Sequence, residues 1–226
     1  WEVEAIREQL ERHALTAVLH NLPAGDWSAG ERGIACLPER GAEFRDGVEL
    51  ALRYATALGV RQVNCLAGIR PRDLAEDTAW QTLCAHVEYA SQRLATAGLT
   101  LNLEAINSRV DMPGFLLDTP DKVLEVLRCV GAPNLRLQFD VYHVQIMCGD
   151  LCRRLRDALP HIGHIQFADN PGRAQPGTGE INFGAIFRHL DAIGYSGWVS
   201  AEYVPRGPTG DSLGWLRDWL TGSPAS

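Results

Sequence analysis

Residues 135–143 read "LRLQFDVYH". Leu135, Leu137 and Phe139 alternate with polar residues, the two-residue period of a half-buried strand. The strand then ends in Asp140, with His143 three positions later. One such ending is ordinary, because an Asp after a strand often caps the helix that follows. The fold turns on whether other strands end the same way.

They do. Residues 14–20 ("ALTAVLH") read as a strand, followed by a long loop and a helix from about Arg40 to Leu58. That helix carries Phe44, Val48, Leu52 and Ala55 on one stripe and stops at Gly59. "VRQVNCLAG" is the next strand, and 75–97 is an amphipathic helix closed by Gly98. "LTLNLEAIN" is a strand ending at Glu104. Thr119-Pro120-Asp121-Lys122 opens a helix running to about Val130, with the N-cap residue before a proline. After "LRLQFD" come a helix near 149–158, the strand "HIGHIQFAD", a helix over 183–193, the strand "GWVSAEY" and a short helix over 210–220.

Six strand-then-helix units without hairpin turns imply parallel strands joined by helical crossovers. The strands end in His20, Asn64 to Leu66, Glu104, Asp140, Gln166 and Glu202. Polar residues at nearly every carboxyl end match the rim of an α/β (β/α)8 TIM barrel. A doubly wound sheet gathers its ligand at one switch point behind a Gly-rich phosphate turn, and no such turn occurs in this sequence. A closed barrel needs eight strands, and the chain opens inside an amphipathic helix (Val3, Ile6, Leu10). The expectation is one barrel domain over 1–226, with the first two strands absent from this chain.

Composition narrows the function. The 226 residues are 46% apolar, enough for one sizeable core. No apolar run approaches the roughly 20 residues of a membrane span, and Trp1-Glu2-Val3-Glu4 lacks the basic start of a signal peptide. A net charge of −7 argues against a duplex-binding surface, and hence against a nucleic-acid partner. The six cysteines form no CxxC pair and read as reduced thiols of a cytoplasmic protein. Oligomeric state is not legible; a homo-oligomer is compatible with it.

Glu104, Asp140, Gln166 and Glu202 end four successive strands and can converge on one axial site. Three carboxylates in a dry site repel one another. A divalent cation relieves that repulsion, and an all-oxygen set suits Mg²⁺ or Mn²⁺. His143, a helical turn beyond Asp140, can face the same pocket. Arg173 in "ADNPGR" and Arg109 in "EAINSR" lie on rim loops, where a guanidinium fork would orient a small carboxylate substrate. His86, His161, His164 and His189 read as structural. The loop "HNLPAGDWSAGERGIACLPE" is long for a barrel connection, and Trp27 would give a lid an apolar face.

The stretches "HNLPAGDWSAGERGIACLPERGAEFRDGV", "INSRVDMPGF", "LQFDVYHVQIM", "IGHIQFADNPGRAQPGTGEINF" and "SAEYVPRG" closely resemble the hydroxypyruvate isomerase family of the xylose-isomerase-like barrel superfamily. The likeness runs from the first strand to about Trp215. It implies a cytoplasmic enzyme that isomerises hydroxypyruvate, a small keto acid, to tartronate semialdehyde. By the same resemblance Glu104 and Glu202 match paired catalytic glutamates, and Asp140 and Gln166 match the other metal ligands. His143 and Arg173 match substrate contacts. Related ketose epimerases carry a His where Gln166 stands. A 2-oxo-tetronate isomerase or ketose epimerase is the rival activity on this scaffold.

Overall fold

Parallel pairing is the first expectation that the structure meets. The computed structural model describes residues 2–220, so Trp1 and the last six residues lie outside it. The described residues form two compact units, one up to Gln138 and one from Phe139 onward.

The first unit contains helix α1 (Val3–Arg12), strand β1 (Leu19–Asn21), α2 (Gly41–Leu58), β2 (Gln62–Cys65), α3 (Glu76–Ala95), β3 (Thr100–Glu104) and α4 (Pro120–Val130). Its last element is most of β4 (Leu135–Asp140), which runs on into the second unit. The strands lie in chain order and all pair in parallel. The register sets Asn21 beside Asn64, Asn64 beside Asn102 and Glu104 beside Gln138. Parallel neighbours need long crossovers, and α2, α3 and α4 supply them.

Each helix buries one stripe. In α2 the buried residues are Phe44, Val48, Ala51 and Ala55. Ala51 therefore occupies the place expected of Leu52, which is only half-buried. In α3 Ala79, Leu83, Val87, Ala90 and Leu94 are fully buried. Thr119 caps α4, accepting from the Lys122 amide at 3.4 Å.

The first strand is shorter than the sequence suggests. The apolar alternation begins at Ala14, but Ala14 takes a φ of +51° and Leu15 is 63% exposed. Pairing starts only at Leu19, opposite Gln62. A strand needs a ladder as well as a pattern, and among the described residues of this unit 14–18 have none.

The loop before α2 carries its own framework. Asp26 Oδ1 accepts from the Ser28 and Ala29 amides at 2.9 and 3.2 Å, and Glu31 is salt-bridged to Arg40 at 2.6 Å. Arg32 stacks over the half-exposed Trp27 ring at 3.9 Å. Ile34, Ala35 and Cys36 are buried, and the Cys36 amide donates to the Ala67 carbonyl at 2.9 Å. Only the tip around Trp27 has the exposure expected of a lid.

The second unit holds α5 (Val141–Met147), α6 (Leu151–Ala158), β5 (Ile162–Phe167), α7 (Phe183–Ala192), β6 (Val199–Ala201) and α8 (Gly214–Leu220). Strands β5 and β6 pair in parallel, with Gln166 beside Ser200. The sequence suggests one helix near 149–158; the structure has two around this point, broken at Cys148–Asp150. The first starts directly after β4 because Asp140 caps it. Gly149 and Asp150, at φ +65° and +52°, end the run before α6. Phe167 packs edge-on against Phe187 and Trp215, both at 5.3 Å, and joins α7 and α8 to the sheet. No described helix is long and apolar enough to cross a membrane.

Gly33 adopts a φ of +104°, and a Cβ there would run into the Leu66 carbonyl. Gly33→Ala adds backbone strain of about 1–2 kcal/mol to that overlap, so stability should fall by at least this much in urea titration. An unchanged midpoint would show that the loop does not depend on this close approach.

Candidate active site

Strand β4 delivers Asp140 to its carboxyl end fully buried. Oδ1 accepts from the Tyr142 and His143 amides at 2.8 and 3.4 Å, so the ordinary helix-capping role is present. The other oxygen has a separate environment. Oδ2 lies 3.8 Å from His143 Nε2 and 4.0 Å from the Arg173 guanidinium. His143 is 1% exposed, and its ring tilts against Tyr142.

The ends of β5 and β6 bring Gln166 and Glu202 to the same Arg173 neighbourhood. The Glu202 amide donates to the Phe167 carbonyl at 2.9 Å, which continues the ladder one residue past β6 and fixes Glu202 beside the end of β5. Its carboxylate accepts from Arg173 at 2.7 Å and is hydrogen-bonded by the Gln166 side chain. The Glu202 side chain keeps 48% exposure. Its pKa is nonetheless raised, chiefly because neighbouring residues strip water from the carboxylate; Arg173 opposes this and the Asp140 charge adds to it. Arg173 also faces the Tyr142 ring at 5.4 Å. It holds a φ of +52°, which costs a non-glycine residue about 1–2 kcal/mol. One cation thus stands between two carboxylates, the arrangement that mutual repulsion demands.

In the first unit, Glu104 is 5% exposed at the end of β3. Its Oε2 accepts from Asn64 Nδ2 at 2.9 Å, and that nitrogen also reaches Asn21 Oδ1 at 3.2 Å. A row of amides therefore crosses three strand ends and stops at a carboxylate. Arg109 is exposed in a turn built on Asn107, whose Oδ1 accepts from the Val110 and Asp111 amides, both at 3.0 Å.

The structure brings Asp140, His143, Gln166, Arg173 and Glu202 together within the second unit, as the alternation of strands suggested. Glu104 sits at the corresponding strand end of the first. Glu104, Asp140 and His143 are all buried residues of metal-ligating type. Three participants escaped the sequence reading. Asn21 was hidden because the strand was expected to end at His20; Tyr142 and Asp169 carry no motif of their own. The run Asp-Asn-Pro-Gly was a signal for Asp169, because such turns are organised by a side-chain acceptor.

Comparison with known proteins agrees with this architecture. The sequence model of the xylose isomerase-like TIM barrel family matches residues 2–219. The chain belongs to this family. Among its barrel relatives, hydroxypyruvate isomerase of Escherichia coli is 44% identical over 216 residues, covering 96% of this chain and 83% of the relative. A 2-oxo-tetronate isomerase of Cupriavidus necator is 41% identical, covering 95% and 82%. A crystal structure from Brucella melitensis, described as an AP endonuclease of family 2, superposes with a TM-score of 0.93 at 39% identity, covering 97% and 84%. The fold class and the resemblance to the hydroxypyruvate isomerase family are both borne out.

Two residues before Gln166, and so on the same face of β5, His164 is 1% exposed. Neither ring nitrogen has a hydrogen-bond partner among the described residues, and burial pushes its pKa down to about 4. Between about pH 6.5 and 4 the unfolded chain takes up a proton that the folded chain refuses, so this residue lowers stability as pH falls through that window. The loss reaches roughly 3 kcal/mol at its acid limit. Urea titrations at pH 7 and 4.5 should show a steeper loss for the wild type than for His164→Gln. Parallel losses would show that His164 does not carry the effect.

Proposed function

We propose that the protein is an isomerase of a small 2-oxo acid, converting hydroxypyruvate to tartronate semialdehyde through an enediolate. The observation that carries this reading is the Arg173 guanidinium set between Asp140 and Glu202 at adjacent strand ends. A guanidinium fork matches the carboxylate of a keto acid in charge and geometry, whereas a neutral ketose would engage it only through hydroxyl or carbonyl oxygens. The 44% identity to a hydroxypyruvate isomerase supports the same substrate. In this reading residues 1–226 act as one barrel domain in the cytoplasm, consistent with six free thiols.

Glu104, Asp140, Gln166 and Glu202 would hold a divalent cation, Mg²⁺ or Mn²⁺. The residues fit it: their donors are hard oxygens, and the two in the second unit that carry charge already converge on one positive group. Gln166 would contribute its amide oxygen, since its nitrogen is the donor to Glu202. Such an ion supplies Lewis-acid polarisation of the substrate carbonyl. The chain's own residues do the rest. Arg173 exchanges Glu202 for the substrate carboxylate, with Arg109 as the second candidate, and His143 borders the bound acid. One glutamate takes the proton from C3, and the other side of the site returns one to C2. The raised pKa of Glu202 moves it toward the range in which a carboxyl both takes and gives a proton.

The 2-oxo-tetronate reading has its own support in the 41% identical relative and differs by one carbon of substrate. Abasic-site cleavage is disfavoured by the net charge of −7. Assays with hydroxypyruvate, 2-oxo-tetronates and ketohexoses, each with and without Mg²⁺, decide among them. Hydroxypyruvate should be turned over fastest, and only with the metal; preference for a tetronate would move the assignment to the longer acid.

Glu104→Gln and Glu202→Gln should each lower kcat by ~10²–10⁴-fold, with metal affinity measured alongside. A loss below about tenfold removes that residue from proton transfer. Arg173→Ala should raise KM for hydroxypyruvate by about 10–150-fold, and Arg173→Lys should recover only part of it. A normal KM for Arg173→Ala would pass the role to Arg109.

A further inference from the structure

Asp169 lies just past β5, fully buried and outside the set of groups that would meet substrate. Five backbone amides converge on it. Oδ2 accepts from Gly177 at 2.9 Å, Thr178 at 3.0 Å and Gly179 at 2.8 Å; Oδ1 accepts from Asn170 at 2.9 Å and Ile181 at 3.1 Å. These donors span the whole loop from β5 to α7, and a concave run of successive amides is a ready site for an anion. Here the anion is part of the chain.

We propose that Asp169 is a positioning residue: its carboxylate folds 170–181 into one fixed loop and thereby sets where the Arg173 guanidinium stands. This rests on the reading of Arg173 as the contact for the substrate carboxylate. Arg173 is held at both sides by the same arrangement. The Asp169 amide donates to the Ala174 carbonyl at 2.9 Å, closing a short bridge around Arg173, and Val204 donates to the Arg173 carbonyl at 2.8 Å. Farther along, the Arg206 amide donates to Gln175 Oε1 at 3.0 Å. A left-handed arginine persists only where its surroundings over-determine it, and this loop does so.

The chemistry specifies a carboxylate. All five partners are donors, so an asparagine offers one acceptor oxygen and turns an NH₂ group toward backbone N–H groups. Gly179 fits the same design. A Cβ on Gly179 would strike the Asn170 carbonyl and come 2.6 Å from Asp169 Oδ1.

The test compares wild type, Asp169→Asn, Arg173→Ala and the double variant, using hydroxypyruvate kinetics and trypsin cleavage at the Arg173–Ala174 bond. Asp169→Asn should raise KM at least about fivefold, within the ~10–150-fold open to loss of the arginine contact. The double variant should be no worse than Arg173→Ala, since both changes remove one interaction. Cleavage after Arg173 should be faster in Asp169→Asn than in wild type. If Asp169→Asn does not fold, Gly179→Ala disturbs the loop from another residue and should show the same rise in KM and the same non-additivity. Normal KM in the loop variants while Arg173→Ala is impaired overturns the inference and leaves the substrate reading intact. Fully additive effects overturn it as well. If Arg173→Ala itself binds normally, the substrate reading fails, and cleavage alone decides whether Asp169 fixes the loop: an unchanged rate overturns that too.

Discussion

The second unit depends on how Asp140 divides its two oxygens. One is committed to the amides that open α5, which pins the side chain and gives it no rotational choice. The other is thereby aimed at His143 and Arg173. Capping and site-building are often treated as competing explanations for an acid after a strand. Here the cap is what makes the second oxygen precise, because a group held by backbone hydrogen bonds loses no further freedom when it meets a ligand.

The three carboxylates near Arg173 are handled in two opposite ways. Asp169 is saturated by neutral backbone donors and needs no counter-charge. Asp140 and Glu202 face each other's field, and the pKa of Glu202 rises partly for that reason. Saturation suits a structural acid, whereas incomplete neutralisation suits one that exchanges protons or binds cations. The neighbourhoods differ although the burial does not, since Asp140 and Asp169 are equally inaccessible.

Much of the site was legible because a parallel sheet turns sequence position into spatial position. In the second unit the polar residues at or next to the carboxyl ends of β4, β5 and β6 meet, so Asp140, Gln166 and Glu202 could be picked from alternation, as could Glu104 at the end of β3 in the first unit. What was not legible has physical causes. The apolar pattern of 14–18 looks like a strand, yet a ladder requires a partner that no local pattern encodes. The sequence offers Asp140 as a cap but not the length of the helix it opens, because only Gly149 and Asp150, in left-handed conformations, divide α5 from α6. Ala51 stands on the buried stripe of α2 where the sequence suggests Leu52, because at 3.6 residues per turn two adjacent positions border the same face. For Asp169 the Asp-Asn-Pro-Gly turn signals a local acceptor but not the reach of its carboxylate, since all its partners are backbone amides, which every residue but proline possesses.

The loop before α2 is built as a frame carrying a tip. Glu31 and Arg40 tie its base, Ile34 to Cys36 anchor its return, and Trp27 with Arg32 stands outside that frame. Evolution can therefore rewrite the tip without redesigning the scaffold. Replacing Trp27 and Arg32 together removes one stacked pair from the surface and leaves the Glu31–Arg40 tie and the buried return of the loop as they are.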